Sequence, residues 1–160
     1  MASRASTSIV PRISLIPAVS TWAPLFAAYH AYLSLGAASG RVNSKTYLAN
    51  STDEASPQLA ANRAHGNFTE NVPIALMLAT IAELNGANTK MLNAILGFLF
   101  FARVAHAEFG VKMANHAKQL SEKGYQWGRL TGFLGSNAVI VGLGAYAFNL
   151  ALPTIKAIYA

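Results

Sequence analysis

The chain contains no cysteine. That absence excludes a thiol nucleophile, a disulfide frame, a thiolate zinc site and an iron–sulfur centre. Charge is scarce as well. Asp, Glu, Lys and Arg make up 11% of the 160 residues, whereas a soluble domain carries about 25% to solvate its surface. Asp occurs once, at Asp53, so a Ser-His-Asp relay has no acid outside a loop. No HExxH pairing is present, and His106 and Glu108 are spaced onto opposite helix faces, so no metal site is expected. What remains is apolar: 53% of residues are hydrophobic and mean hydropathy is +0.33. Disordered chains are poor in such residues, and a small soluble globule would expose more apolar surface than water tolerates. The length suits one domain. The composition is that of a membrane protein.

Twelve Lys and Arg against six Asp and Glu give a net charge of +6. The basic residues are scattered rather than striped, which fits anchoring to anionic lipid head groups and argues against nucleic acid as a partner.

Four apolar segments emerge. Residues 13–40 and 130–155 carry no formal charge and are long enough to cross a bilayer with tilt. Two shorter charge-free runs, 71–82 and 91–102, each make about 18 Å of helix, short of a hydrocarbon core of about 30 Å. They become spans only by extension through charged neighbours, back through Glu70 and Arg63 and forward through Arg103, His106 and Glu108. Asn85-Gly86 ends the second helix and turns the chain before Met91. The pattern predicts an all-α, integral membrane four-helix bundle with helices near 13–36, 57–84, 89–110 and 127–151. Residues 13–155 form the single membrane domain, 1–12 an N-terminal tail and 156–160 a C-terminal tail. Arg4, Arg12 and the hydroxyl residues of the N-terminal tail also suit a weak organelle-targeting segment.

If the chain alternates sides, the charged start of the second helix, the charged end of the third and the start of the fourth meet in one leaflet. Arg63, Asn67, Glu70, Arg103, His106 and Arg129 then lie at one depth. Arg41, Lys45, Lys112, Lys118 and Lys123 fall on the same side, which the positive-inside rule assigns to the cytosol. The expected location is an integral, multi-pass position in an endoplasmic-reticulum or other organelle membrane of a eukaryote, or the inner membrane of a bacterium.

Arg63, Asn67 and Glu70 form one stripe at i, i+4 and i+7; Arg103, His106 and Gly110 form another at i, i+3 and i+7. Ionisable groups inside a membrane face protein or a watered cavity. Two readings stand: mutual neutralisation, with Arg63 paired to Glu70, or a site for an anionic ligand. Three arginines near one Glu leave positive charge uncompensated, which favours the ligand. Gly128, Gly132 and Ser136 make a small-residue ladder that lets helices approach, either within the subunit or between subunits. His30 and His65 lie off both stripes and read as packing or interface histidines.

The run RAHGNFTENVPIALMLATIAELNGAN from Arg63 resembles the second-helix signature of the MAPEG family, the membrane-associated proteins in eicosanoid and glutathione metabolism. The likeness is to the small bacterial-type branch of microsomal glutathione transferase-like proteins. ARVAHAEFG from Ala102 and GRLTGF from Gly128 resemble the family's third and fourth helices. The resemblance implies a homotrimer that binds glutathione, as co-substrate, between subunits in the cytosolic half of the membrane. It implies that Arg63, Asn67, Glu70, Arg103 and His106 hold the peptide and that Arg129 activates its thiol. A lipophilic electrophile or hydroperoxide would arrive from the lipid bilayer, making this a glutathione transferase or peroxidase of detoxification. Eicosanoid-synthesising members have an Arg where this chain has Gly66 and a Tyr where it has Gly110. Leu130 and Phe133 likewise replace a hydroxyl residue and a Tyr. These departures argue against specific prostaglandin or leukotriene synthesis. The alternatives are a non-catalytic ligand-binding or scaffold subunit of the same fold and, outside the family, a small transporter.

Overall fold

A computed structural model of the chain describes residues 14–44, 56–113 and 127–160. The N-terminal tail, Lys45, Asp53, Lys118 and Lys123 lie outside the described residues. Four helices account for nearly all of the rest: α1 (Pro17–Ser44), α2 (Pro57–Leu84), α3 (Thr89–Ala105) and α4 (Trp127–Tyr159). The third helix continues without a break into a π-helical segment, His106–Lys112. Among the described residues there is no strand.

The boundaries follow from local chemistry. Ser56 is extended (φ −64°, ψ 125°) and Pro57 follows it at the first helical position, where a missing N–H costs nothing. At the other end of α2, Ala87 N–H bonds the Ala82 carbonyl at 3.0 Å and Gly86 N–H bonds the Glu83 carbonyl at 3.1 Å. Gly86 sits at φ +85°, so the turn after Asn85 is a Schellman motif that needs glycine. Asn88 then opens α3 by accepting the Met91 N–H on its side chain at 3.1 Å. The expected bounds of α2 hold as stated. The expected end of α1 near 36 is corrected to Ser44. That last stretch is held by α2: Gln58 Nε2 donates to the Ala37 carbonyl at 3.1 Å and Arg41 to Asn62 Oδ1 at 3.5 Å. The fourth helix runs to Tyr159 rather than stopping near 151, so the expected tail is largely helical.

Glu83 is a cap, not a membrane charge awaiting a partner. Its carboxylate, at 7% exposure, accepts the Ala18 N–H at 2.7 Å and the Val19 N–H at 3.0 Å. These are free donors of the first turn of α1, where the helix dipole favours an anion. Glu83→Ala leaves two buried N–H groups without a partner. It is expected to cost about 3 kcal/mol, read as a lowered thermal unfolding midpoint in detergent. Glu83→Gln, which keeps an acceptor, should lose less; equal losses would remove the capping explanation.

The four helices form a ring in the order α1–α2–α4–α3, with α2 and the π-segment meeting across its short diagonal. Ala60, Ala64, Phe68, Val72, Ala75, Ala79 and Ala82 make the inner stripe of α2, all at or below 6% exposure. Large apolar side chains such as Ile74, Met77, Phe98, Phe101, Leu134, Val141 and Phe148 point outward. Small residues inside and large ones outside let helices pack closely where lipid, not water, surrounds them. Phe26, Phe68, Tyr29 and Phe100 close the α1–α2–α3 seam with ring centroids 5.4 to 6.2 Å apart.

Two helices, Thr89–Lys112 and Gly128–Tyr159, are by length and composition able to cross a membrane. The first helix is charge-free over 13–40, but its serines, prolines and His30 keep it less apolar than those two. Freedom from charge and apolarity are different properties. The third helix has the second even with Arg103 inside it.

Candidate functional site

Gly110 and Gly128 bring the end of the third helix onto the start of the fourth. A Cβ built at Gly110 would stand 2.6 Å from Arg129 N and Gly128 C, and one built at Gly128 would stand 2.6 Å from Gly110 N. A Cβ at Gly132 would collide with the His106 side chain. Ser136, fully buried, donates its hydroxyl to the Gly132 carbonyl at 2.8 Å. The small-residue ladder therefore works within the subunit. The same approach explains why no side chain fits at Gly110, whereas Gly66 has nothing within 4 Å of its would-be Cβ.

The π-turn lies on this contact. It buries His106 and Gly110 against α4 and leaves Glu108 on the α1 side. There Glu108 Oε1 accepts the Tyr29 hydroxyl at 2.9 Å and pairs with Lys112 at 2.7 Å. The Lys112 ammonium also lies 4.7 Å from the Tyr32 ring centroid, a cation–π contact. Thus the His106 and Glu108 faces separate, as their spacing predicts.

Arg103 occupies the centre at 3% exposure. Its Nη1 donates to the Asn67 carbonyl of α2 at 3.5 Å and its Nη2 to the Gly132 carbonyl of α4. Its Nε is buried without a partner. Carbonyls orient this guanidinium but do not cancel its charge. Lys112 pairs with Glu108, but Arg63 and Glu70 form no ion pair with each other, so the expected alternative of mutual neutralisation between them is absent. Next to Arg103, His106 Nδ1 lies 3.3 Å from the Gly128 carbonyl. Since a carbonyl only accepts, Nδ1 carries the proton in this contact and Nε2 is left for another partner.

A cavity of about 220 Å³ opens beside these groups, lined by Asn67, Glu70, Asn71, Arg103, His106, Phe133 and Asn137. Its rim reaches the surface at Glu70, Phe133 and Asn137, which are exposed. Of the six residues expected at the site, Asn67, Glu70, Arg103 and His106 come together here. Arg63 and Arg129 are exposed and do not line it. Arg129 directly follows Gly128, whose carbonyl faces His106. Asn71 and Asn137 were not among the expected residues. Their signal is a carboxamide within a run otherwise free of charge, one turn beyond Asn67 and Phe133. His30 and His65 lie elsewhere, between α1 and α2, with ring centroids 5.0 Å apart.

An all-α bundle with alanines inside, large apolar side chains outside and a buried, unneutralised guanidinium at a polar cavity is a membrane helix bundle with an internal polar site. The sequence matches the MAPEG family over residues 19–149. The chain belongs to that family, whose members are membrane-integral and typically use glutathione. Membership supports a function of the membrane glutathione-transferase or eicosanoid type in general. No curated protein and no solved structure gives a significant match.

Proposed function

We propose that this protein is a membrane glutathione transferase or peroxidase of the bacterial-type branch, acting on lipophilic electrophiles from the bilayer. The observation that carries this reading is the cavity itself. It holds the Arg103 guanidinium and the Glu70 carboxylate, neither of them neutralised by an ion pair. Such a pair of walls suits a zwitterion: a ligand carboxylate belongs toward Arg103 and a ligand ammonium toward Glu70. Glutathione carries both, plus a thiol. A thiol with an ordinary pKa near 8.5 is mostly protonated at neutral pH, and a nearby guanidinium favours the thiolate nucleophile. In this reading Asn67, Glu70, Arg103 and His106 hold the peptide within the cavity. Arg63 and Arg129, which lie outside the cavity of one chain, complete the site on binding, and Arg129 stabilises the thiolate.

The same reading includes a homotrimer, with the site completed between subunits. Pockets for ligands of this size enclose about 300–1,000 Å³, more than the 220 Å³ one chain supplies. A neighbouring subunit would complete the walls. Multi-pass insertion with the cavity toward the cytosol follows the charge distribution of the loops.

The test is a glutathione titration of the detergent-solubilised protein, followed by calorimetry and by ultraviolet thiolate absorbance. Wild type is expected to bind and to show thiolate. Arg129→Leu should retain binding within about tenfold and lose the thiolate signal. Absence of both signals in wild type would overturn the reading. Binding without thiolate in wild type would establish the non-catalytic binding subunit instead.

A further inference from the structure

Of the side chains that line the cavity, only Glu70 and His106 can take up a proton. His106 opens the π-helical segment and is buried, at 8% exposure. Its ring is wedged against α4: a Cβ built at Gly132 would stand 2.7 Å from both Cγ and Nδ1. Nδ1 faces the Gly128 carbonyl at 3.3 Å, and the ring's other polar neighbour on α4 is the Arg129 carbonyl. Carbonyls only accept, so the ring hydrogen sits on Nδ1 and neither carbonyl offers a hydrogen to Nε2. A neutral imidazole in this form carries its free lone pair on Nε2. The Cγ–Nδ1 edge is used on α4, which leaves the Nε2 edge for the cavity.

The charges around the ring decide when that lone pair can act. Arg103 on the same helix and Arg129 on α4 both act on it through space. Glu70 of α2 shares the cavity. Glu108 and Lys112 pair with each other on the α1 side, where Tyr29 joins them. In the empty site a proton on Nε2 would add a third cation beside two guanidiniums, and like charges repel. A ligand carboxylate on Arg103 removes that guanidinium's repulsion. A sulfur beside Nε2 supplies the counter-charge once it loses its hydrogen. Imidazole is also the side chain best matched to proton transfer near neutral pH, where a carboxylate is the weaker base.

We propose that His106 is the general base: its Nε2 takes the thiol proton of bound glutathione and holds it, as an imidazolium, beside the thiolate. The inference rests on the glutathione reading above, which gives the thiolate a stabilising guanidinium but its proton no destination. In the step the S–H bond breaks, its electron pair stays on sulfur and the hydrogen bonds to Nε2. The net charge of the site is unchanged. Inside an apolar span this creates an ion pair rather than a lone anion, as a histidine does beside a reactive thiol. Arg129 stabilises the sulfur; His106 takes the proton. When the sulfur bonds the electrophile, Nε2 passes its proton to water at the exposed rim and returns to its accepting form.

The experiment counts protons. Calorimetric titration with glutathione in phosphate and in Tris buffer measures the protons passed to the buffer, and ultraviolet absorbance measures thiolate in the same samples. At about pH 7.5 a free thiol is about 90% protonated, so wild type should form thiolate while releasing fewer than about 0.3 proton per site. His106→Asn keeps an amide donor in the place of Nδ1 and removes Nε2. It should bind glutathione within about tenfold of wild type and lose at least about fivefold of the thiolate signal at about pH 7.5. The signal should return near about pH 9.5, one unit above the ordinary thiol pKa, a recovery that a purely structural role would not produce. Thiolate in wild type with release of close to one proton overturns the base assignment alone. So does full thiolate in His106→Asn at the lower pH, or no return at the higher. Should the variant not fold, the wild-type proton count decides. Wild type that fails to bind glutathione, or binds it without thiolate, overturns the transferase reading, and this inference with it.

Discussion

Arg103→Leu is expected to lower glutathione affinity by more than about a hundredfold while leaving the unfolding midpoint near that of wild type. The two effects separate for a physical reason. A buried cation without an ion partner contributes little to folding, because desolvation offsets its hydrogen bonds. Its loss does not orphan the carbonyls it touches. The Asn67 carbonyl keeps the Asn71 amide at 2.7 Å and the Gly132 carbonyl keeps the Ser136 hydroxyl at 2.8 Å. A bound carboxylate has no such substitute. Losing a buried, charge-assisted contact costs about 2–5 kcal/mol, and each 1.4 kcal/mol is tenfold in affinity. Arg103→Lys should not restore binding, since a single ammonium cannot span the carbonyls of two helices and face a ligand as well. Calorimetric titration and thermal unfolding on the same preparations read both quantities. Unchanged affinity in Arg103→Leu would mean that its charge does not act on the ligand.

Gly110→Ala is expected to destabilise the protein by at least about 2–3 kcal/mol. The added carbon would stand 2.6 Å from backbone atoms of Gly128 and Arg129, so no side-chain rotation relieves it and two helices must separate. Overpacking of a rigid contact costs about 1–3 kcal/mol. Here the displaced backbone also carries the carbonyl that His106 faces, so glutathione binding should weaken together with stability. Gly128→Ala, on the other side of the same contact, should behave alike. Gly36→Ala is the control: nothing lies within 4 Å of its would-be Cβ. Alanine's higher helix propensity should make that change neutral or stabilising by up to about 1 kcal/mol. Equal unfolding midpoints for Gly110→Ala and Gly36→Ala would refute the close approach.

Much of the site was legible before any fold was known. Asn67 and Glu70 share a stripe because a helix repeats every 3.6 residues, and both line the cavity, whereas Arg63, expected on the same stripe, does not. Arg103 and His106 followed from the same reasoning. What stayed hidden depended on distance between segments remote in sequence. Glu83 looks like a marginal membrane charge until α1 is seen to begin beside it, 65 residues earlier in the chain at Ala18. The π-turn has no signature of its own in HAEFGVK; it accompanies the meeting of Gly110 with Gly128. Asn71 and Asn137 read as ordinary polar residues in apolar runs until both are found lining one cavity.

The sequence by itself determined the class. Charge at 11% read as a membrane protein, apolar runs of helical length read as four helices, and the motifs pointed to the family. The tertiary structure decided which small residues touch, that Arg103 is held by carbonyls rather than by a carboxylate, and which side chains share the cavity. The physical reason is that composition and periodicity act through local and solvent interactions, which every span feels alone. Close packing and an uncompensated buried charge exist only once particular helices have met.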